Sequence, residues 1–248
     1  MAVVNDFSVT VLGCSGSYNA PEGEACSGYL VRCGETSIWM DCGNGSFANL
    51  QRHIDVSDLD AVVVTHSHPD HCVDLYGLHV LATYGLQRGD IPVFAAAEVE
   101  SKMRGLVSDW HGTFAWHTVG DGARETFNDV EMAFSTTDHP VPTVAVSLRF
   151  DGKHAVYTAD TGPLWSPEVF GTTPDFLLSE ASYTHDDRRS PIHLSGYQAG
   201  ELARAAQAQR LVLTHLWPTI DADVCRAEAI QSFGADVTLA RTGDRYDI

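Results

Sequence analysis

Four side chains that commonly bind metal ions lie within six residues of the chain. The segment 65–71 reads THSHPDH. Residues two apart in an extended loop point the same way, so His66 and His68 can bind one metal ion. Asp70 and His71 come after a proline, which restricts the backbone and favours a turn, so these two can face a second ion. Imidazole and carboxylate ligands suit zinc, with manganese or iron as substitutes.

Three more residues with metal-binding side chains occupy the same kind of position. His139, Asp160 and His215 each follow a short apolar run that is typical of a strand. A single histidine after a strand is more often a surface or capping residue, and the 65–71 motif alone could be a solvated polar loop. The repeated order of apolar run and then ligand favours a shared metal site, because loops at strand ends carry chemistry on α/β scaffolds.

The elements that must position these residues begin with strands and continue with alternating strands and helices. Alternating or continuous apolar runs predict strands at 7–12, 28–33, 37–40, 61–64, 92–95, 132–134, 144–150, 155–158, 176–178 and 211–213. Apolar periodicity and capping residues predict helices at 70–86, 98–107, 195–209 and 223–233. The aromatic segment 108–127 is predicted to be irregular. This order predicts an α/β fold with two layered sheets and outer helices.

The composition limits the partners of the protein. The 248 residues contain 15 Lys and Arg against 33 Asp and Glu, a formal net charge of −18. Such a surface repels polyphosphate backbones, which argues against an extended nucleic-acid surface. Metal ions bound in a cleft can still reverse the local field for a small anion. We find no linker or repeat, and predict one domain spanning 1–248.

The remaining sequence features concern the cellular compartment. No run approaches the roughly 18 apolar residues of a membrane helix. No basic stretch precedes the first apolar residues, so we expect no signal peptide and a cytoplasmic protein. The six cysteines include no C-x-x-C pair, and we predict free, mostly buried thiols in a reducing compartment.

The ligand order resembles the metallo-β-lactamase superfamily, whose signature is H-x-H-x-D-H followed by a His, an Asp and a His. The resemblance runs from segment 9–13 to the final helix. It implies an αββα sandwich, two mixed sheets flanked by helices, with two divalent metal ions, Zn²⁺ or alternatively Mn²⁺, at one edge. The implied ligands are His66, His68 and His139 for metal one, Asp70, His71 and His215 for metal two, and Asp160 as the bridge. Asp41 matches an aspartate that supports the site in that family.

The segment Ser179-Glu180-Ala181-Ser182, followed by His193, resembles the phosphodiesterase branch of the superfamily. This branch contains the ribonuclease Z enzymes and small cyclic-phosphate diesterases, and has a histidine where this chain has Ser179. The resemblance implies that Glu180 orients His193, and that His193 protonates the leaving oxygen as a general acid. Asp70, Glu180 and His193 are therefore the predicted catalytic residues, in a two-metal hydrolysis of a phosphodiester.

Two features favour a small substrate over RNA. Only 21 positions separate His139 from Asp160, where long-form bacterial ribonuclease Z enzymes insert a basic arm, and the net charge opposes RNA binding. The runs 11–17, 180–185 and 213–218 are similar to an actinobacterial group of cyclic-nucleotide phosphodiesterases. The predicted substrate is therefore a 3′,5′-cyclic nucleotide such as cAMP.

Three other functions remain open at this stage. These are a ribonuclease Z-type RNA 3′-end endonuclease, a hydrolase of a lactam, lactone or thioester, and a catalytically silent metal-binding scaffold. The resemblance also leaves a homodimer open. His185 could touch the substrate or be a capping, surface or core residue. Arg188 and Arg189 could meet a phosphate or belong to a solvated loop. The aromatics at 110–116 could stack on a base or form ordinary core.

Overall fold

Two seven-stranded sheets make up the centre of the molecule. The computed structural model describes residues 7–21, 23–107, 109–187 and 191–248. The strands of the first sheet are β1 (Phe7–Gly13), β2 (Gly28–Cys33), β3 (Thr36–Cys42), β4 (Ala61–Val64), β5 (Ile91–Ala96), β6 (Phe114–Val119) and β14 (Arg245–Asp247). Those of the second are β7 (Arg124–Phe127), β8 (Val130–Thr136), β9 (Val144–Phe150), β10 (Lys153–Tyr157), β11 (Phe176–Glu180), β12 (Leu211–Thr214) and β13 (Val237–Leu239).

The two sheets share one pattern of strand directions. The spatial orders are β14-β1-β2-β3-β4-β5-β6 and β13-β12-β11-β10-β9-β8-β7. In the first sheet the pairs from β14 to β3 are antiparallel and those from β3 to β6 are parallel. In the second sheet the pairs from β7 to β10 are antiparallel and those from β10 to β13 are parallel. Both sheets are therefore mixed. Parallel strands place their carboxyl ends at the same edge, which lets loops from both sheets meet there.

Helices cover the outer face of each sheet. The α-helices are α1 (Ser46–Leu50), α2 (Pro69–Cys72), α3 (Leu75–Val80), α4 (Val99–Met103), α5 (Gly196–Ala205) and α6 (Ala222–Phe233). Short 3₁₀ turns occupy Val56–Asp58 and Pro167–Phe170, and a π-helical turn occupies Leu81–Leu86. Helices α1, α2 and α4 contact the first sheet, α3 contacts α1, and α5 and α6 contact the second sheet. The predicted αββα architecture of two mixed sheets flanked by helices is confirmed.

The main core lies between the sheets. Trp39 and Tyr29 from the first sheet and Phe134 and Phe176 from the second are buried in one hydrophobic cluster. A second cluster joins β11 and β12 to α5 and α6. Because both sheets need the shared cluster to bury their inner faces, this packing supports the proposal that residues 1–248 form one domain.

Several predicted elements differ from the structure, and the helix predicted at 98–107 spans only Val99–Met103. The segment predicted to be irregular contains β6 and β7 within its described residues 109–127. Strand β6 is the edge strand of its sheet, and its buried and exposed side chains do not alternate cleanly. The predicted helix at 70–86 is interrupted, because the backbone amide of Asp74 donates to the carbonyl of Cys42, 2.8 Å away, instead of to a helical carbonyl.

Local signals that depend on neighbouring residues were predicted correctly. Ser195 and Gln198 form the capping box of α5, although this helix ends at Ala205, four residues before the predicted end. Gly234 ends α6 with a φ of 84°, a left-handed conformation that glycine adopts readily.

All six cysteines are buried free thiols. Among the described residues, no helix is both long and apolar enough to cross a membrane.

Candidate metal centre

The predicted ligands meet at one edge of the sandwich. Segment 65–71 follows β4, and Asp160 and His215 follow β10 and β12. His139 follows β8, which runs parallel to β10 because both are antiparallel to β9. The carboxyl ends of these strands therefore deliver their loops to the same place, and the seven predicted ligands form two clusters there.

The first cluster contains His66, His68, His139 and Asp160. Nε2 of His66 lies 3.1 Å from Nδ1 of His68, which in turn lies 3.3 Å from Nε2 of His139. The Oδ2 atom of Asp160 is 3.6 Å from Nε2 of His66. Three imidazole nitrogens and one carboxylate oxygen thus converge, which is a donor set that zinc prefers.

The second cluster contains Asp70, His71, His215 and the other oxygen of Asp160. Nε2 of His71 lies 3.2 Å from Oδ1 of Asp160 and 3.6 Å from Oδ2 of Asp70. Nε2 of His215 lies 3.3 Å from Oδ2 of Asp70. Because Asp160 directs one oxygen to each cluster, it stands where a ligand shared by two metal ions would stand.

Two buried polar atoms of the second cluster test whether a cation fits there. His71 Nε2 and Asp160 Oδ1 are buried and lie 3.2 Å apart, but neither makes a hydrogen bond of good geometry to a described residue. Buried polar atoms left without a hydrogen bond are costly, so this pair of atoms favours a bound species. Nitrogen and carboxylate oxygen donors at this spacing suit a divalent metal ion, so the residues fit the predicted cofactor.

Hydrogen bonds behind the clusters select the ligand nitrogen of three of the rings. The Nδ1 atom of His71 donates to Oδ2 of Asp41 at 2.7 Å, and Nδ1 of His215 pairs with the Ser182 hydroxyl at 2.9 Å. Nδ1 of His139 donates to a backbone carbonyl at 3.3 Å. Such outer partners hold the ring orientation and leave Nε2 for a metal.

Asp41 connects both sheets behind the metal centre. It is fully buried and accepts hydrogen bonds from the Thr65 backbone amide (2.8 Å), the Thr65 hydroxyl (3.0 Å) and the Tyr157 hydroxyl (3.0 Å), besides that from His71. The predicted supporting position of Asp41 therefore agrees with its contacts. The contribution of Tyr157 was not predicted, because nothing near it in sequence indicates its partner.

The backbone is strained where the ligands begin. Asp41, Ala159 and His215 have φ values of 56°, 51° and 55°, a left-handed conformation that residues other than glycine rarely adopt. Backbone strain of this kind persists only where the surroundings enforce it, and it clusters at functional sites. Gly43 allows another close approach, because a Cβ atom there would lie 2.1 Å from the carbonyl oxygen of Asp70.

The protonation states of the clusters also suit a cation. Burial lowers the pKa of His66, His68 and His139, so these rings are neutral, as metal binding requires. Burial raises the pKa of Asp160, but His215 and His71 lower it more, so the carboxylate stays ionised. Burial would lower the pKa of His71, but Asp160 and Asp41 raise it well above its ordinary value. This excess of negative charge favours a bound cation.

A histidine and a glutamate lie beside the clusters as predicted. Nδ1 of His193 donates to Oε1 of Glu180 at 2.8 Å, and Glu180 is fully buried. Glu180 also accepts from the Thr161 amide at 2.8 Å and the Ser182 hydroxyl at 2.9 Å. Glu180, His193 and His215 also lie close enough together to hold a metal ion. The atoms of Glu180 and His193 that face each other are, however, already joined by their hydrogen bond.

The charge of His193 follows from this pairing. Burial lowers the pKa of the ring, but the Glu180 carboxylate, through its charge and its hydrogen bond, raises the pKa to about 9. The ring of His193 stacks on that of His215 at a centroid distance of 5.4 Å. A protonated imidazole therefore lies against the second cluster.

The other candidate residues lie elsewhere. His185 pairs with Ser195 through Nδ1 at 3.1 Å, and its backbone amide donates to Glu228, so it belongs to the start of α5. Trp110 and Phe114 are buried in the main core, where Trp110 stacks on Tyr76. Ordinary core is therefore the correct interpretation of these aromatics. Two further predicted candidates lie outside the described residues, namely Arg188 and Arg189.

Replacing Asp41 with asparagine is expected to weaken zinc binding by about 10- to 100-fold, as loss of a ligand's outer partner typically does. The amide cannot accept all four hydrogen bonds, so His71 loses its orientation. Competition with a fluorescent zinc chelator measures the affinity. Asp60→Asn is the matched control, because Asp60 accepts a hydrogen bond from the Ser37 amide at the end of β3 that lies away from Asp41. Equal affinities of Asp41→Asn and the control would contradict this role.

Comparison with known proteins identifies the class. Residues 36–216 match the family described as the β-lactamase superfamily domain. The probable metallo-hydrolase YhfI of Bacillus subtilis (strain 168) is 34% identical over 246 residues, which cover 95% of this chain and 97% of the relative. The chain belongs to the β-lactamase superfamily.

Other matches agree with the fold. The crystal structure of YhfI from Bacillus subtilis has a TM-score of 0.88 at 29% identity, covering 98% of this chain and 99% of that one. A ribonuclease Z of Methanopyrus kandleri is 27% identical over 254 residues, with 87% and 89% of the two chains covered. The short form of human tRNase Z has a TM-score of 0.77 at 20% identity, covering 97% and 99%; this likeness shows the fold alone.

Proposed function

We propose that this metal-dependent hydrolase is a phosphodiesterase that acts on a small phosphodiester, with 3′,5′-cAMP as the leading substrate. The observation that carries the proposal is the Glu180–His193 pair, which places a protonated imidazole beside two metal-ligand clusters. Hydrolysis of a diester with an alkoxide leaving group needs a proton donor at this position.

The ligand clusters supply the other requirement. One divalent ion would be held by His66, His68 and His139, and a second ion by Asp70, His71 and His215. Asp160 would bind both ions. When bound, such ions lower the pKa of water and neutralise charge on the phosphate. In the proposed reaction water adds to phosphorus and gives up one proton to solvent, the P–O3′ bond breaks, and the departing O3′ takes the proton of His193, which solvent then replaces. Glu180 keeps the ring oriented and stabilises its positive charge. The product from cAMP is 5′-AMP.

A small substrate is supported over RNA by charge and by shape. The net charge of −18 opposes binding to a long polyphosphate. Between His139 and Asp160 the chain forms only β9 and β10, joined by the tight turn at Asp151-Gly152, with no projecting arm in this fully described segment.

A ribonuclease acting on RNA 3′ ends is the second candidate, and the 27% identity to a ribonuclease Z favours it. RNA binding through phosphate contacts would weaken steeply with salt, with a slope near −0.7 for each phosphate contacted in a single strand. A shallow slope with rapid cAMP turnover would support the small-substrate proposal instead.

The reaction class is tested with a panel of substrates and the zinc- and manganese-loaded protein. We expect turnover of bis-p-nitrophenyl phosphate and 3′,5′-cAMP, and little turnover of a chromogenic cephalosporin, a lactone or a thioester. Asp70→Ala serves as the control that disrupts the second cluster. Faster turnover of a carbonyl substrate than of either diester would overturn the proposal.

A further inference from the structure

Two aromatic side chains, Tyr18 and Trp217, lie beside the metal centre but take no part in the ligand clusters. Their ring centroids are 5.6 Å apart and the ring planes are nearly perpendicular. Tyr18 is 43% exposed and Trp217 is partly exposed. Large exposed aromatics next to a metal centre are available to a ligand, whereas Trp110 and Phe114 are buried in the core.

The loops that carry these two rings are bonded to the second cluster. The Ser17 amide donates to Oδ2 of Asp70 at 2.9 Å, and the Ser15 hydroxyl donates to the carbonyl of Tyr18 at 2.6 Å. The Gly16 amide donates to the carbonyl of Leu216 at 2.9 Å. Since His215 directly precedes Leu216, both aromatic residues have positions fixed relative to two metal ligands.

A row of rings connects the pair to the proposed general acid. Trp217 lies 5.8 Å from Tyr183 between ring centroids, and Tyr183 lies 6.0 Å from His193. The Trp217 amide donates to the carbonyl of Ser182 at 3.2 Å, and Ser182 binds both Glu180 and His215. This row of rings therefore begins at the reacting centre, passes through the buried Tyr183 and extends outwards to Trp217 and Tyr18.

A cavity of about 390 Å³ adjoins Trp217 along the same edge of the sandwich. Its walls are mostly apolar and come from the two loops and the end of β13. Its charged residues are three acids and one base, namely Glu24, Asp221, Asp223 and Arg241. This excess of acidic over basic side chains disfavours a phosphate in the cavity. The cavity therefore suits an uncharged group of a ligand whose phosphate is bound elsewhere.

We propose that Tyr18 and Trp217 form a stacking platform for the base of a nucleotide substrate whose phosphate lies at the ligand clusters. This inference rests on the proposed function, because it takes the substrate to be a phosphodiester. Every base has a π-face, and stacking on aromatic side chains accounts for much of nucleotide affinity in proteins. A flat, uncharged base fits both the aromatic surface and the cavity beside it.

The platform predicts a change in KM that depends on the base. Trp217→Ala should raise KM for 3′,5′-cAMP by about 10- to 100-fold and leave kcat nearly unchanged, because stacking stabilises the ground and transition states alike. Trp217→Phe should restore most of the affinity.

A substrate without a base is the control for the platform. For the base-free methyl ribofuranoside 3′,5′-cyclic phosphate, the wild type, Trp217→Ala and Trp217→Phe should have the same kcat/KM, which also shows that the catalytic groups are intact. Tyr18→Ala should raise KM for cAMP, unlike the control Tyr84→Ala at an exposed tyrosine.

A binding measurement separates failure of the platform from failure of the proposed function. The zinc-loaded protein is titrated with 5′-AMP and with ribose 5-phosphate, by calorimetry and without any turnover. The platform predicts that 5′-AMP binds at least about tenfold more tightly, and that Trp217→Ala removes this advantage. Equal affinities for the two ligands, or an advantage that survives in Trp217→Ala, would overturn the platform whether or not cAMP is hydrolysed.

Discussion

Replacing His193 with alanine is expected to lower kcat for 3′,5′-cAMP by about 10²- to 10⁴-fold, the usual contribution of a general acid. Both metal ions should remain bound, because His193 belongs to neither four-residue ligand cluster and its Nδ1 atom is engaged by Glu180. Metal content is measured by mass spectrometry on the same samples as the kinetics. His117→Ala, at an exposed histidine of β6, is the matched control.

The leaving group distinguishes proton donation from a general loss of structure. p-Nitrophenolate departs without a proton, so His193→Ala should reduce turnover of bis-p-nitrophenyl phosphate far less than turnover of cAMP. Equal losses on the two substrates would rule out the acid role. Unchanged turnover of cAMP would remove His193 from the mechanism altogether.

The pH profile provides a second signature of the same group. His193 donates its proton only below its pKa, which Glu180 raises to about 9 against the effect of burial. Bound metal ions, being positive, would lower this value. Turnover of cAMP by the wild type should therefore fall between neutral pH and about 9 as the ring loses its proton, and this fall should be absent from His193→Ala.

Replacing Asp160 with asparagine is expected to abolish metal binding at both clusters and reduce turnover to background. Asp160 directs one oxygen to each cluster, and an amide cannot present two anionic oxygens. A ligand that binds only the folded state stabilises it by about 2.7 kcal/mol at 100 times its Kd. Zinc should therefore raise the Tm of the wild type and leave that of Asp160→Asn unchanged.

The control for this variant is Asp175→Asn. Asp175 directly precedes β11, and its carboxylate accepts a hydrogen bond from the His154 amide at 2.9 Å without contacting the ligand clusters. Its substitution should preserve the zinc-induced rise in Tm. A similar rise in Asp160→Asn would show that this residue is not a shared ligand.

Much of the candidate site could be predicted because its candidate ligands follow strands. A buried strand gives a recognisable apolar run, as at 61–64 and 211–213, and the residue types just beyond it are visible in the sequence. The order of these ligands also carried the family resemblance, which implied the layered fold. Both sheets change from antiparallel to parallel pairing at their middle strand. This pattern could not be predicted from the sequence, because it depends on strand pairing and not on composition.

The residues that prediction missed act through tertiary contacts. Tyr157 reaches Asp41 from the opposite sheet, and Tyr18 meets Trp217 although they are far apart in sequence. The left-handed backbone of His215 is likewise enforced by its surroundings rather than by its residue type. The edge strand β6 was missed because an edge position weakens the alternation that predicts a strand.

The most direct test of a two-metal phosphodiesterase is ³¹P NMR of 3′,5′-cAMP incubated with the zinc- or manganese-loaded protein. The proposed chemistry predicts conversion to 5′-AMP, loss of conversion after chelation, and no conversion by Asp70→Ala. Persistence of the cyclic phosphate signal with a fully metal-loaded protein would contradict the choice of cAMP. Persistence of bis-p-nitrophenyl phosphate in the same samples would contradict phosphodiester hydrolysis itself.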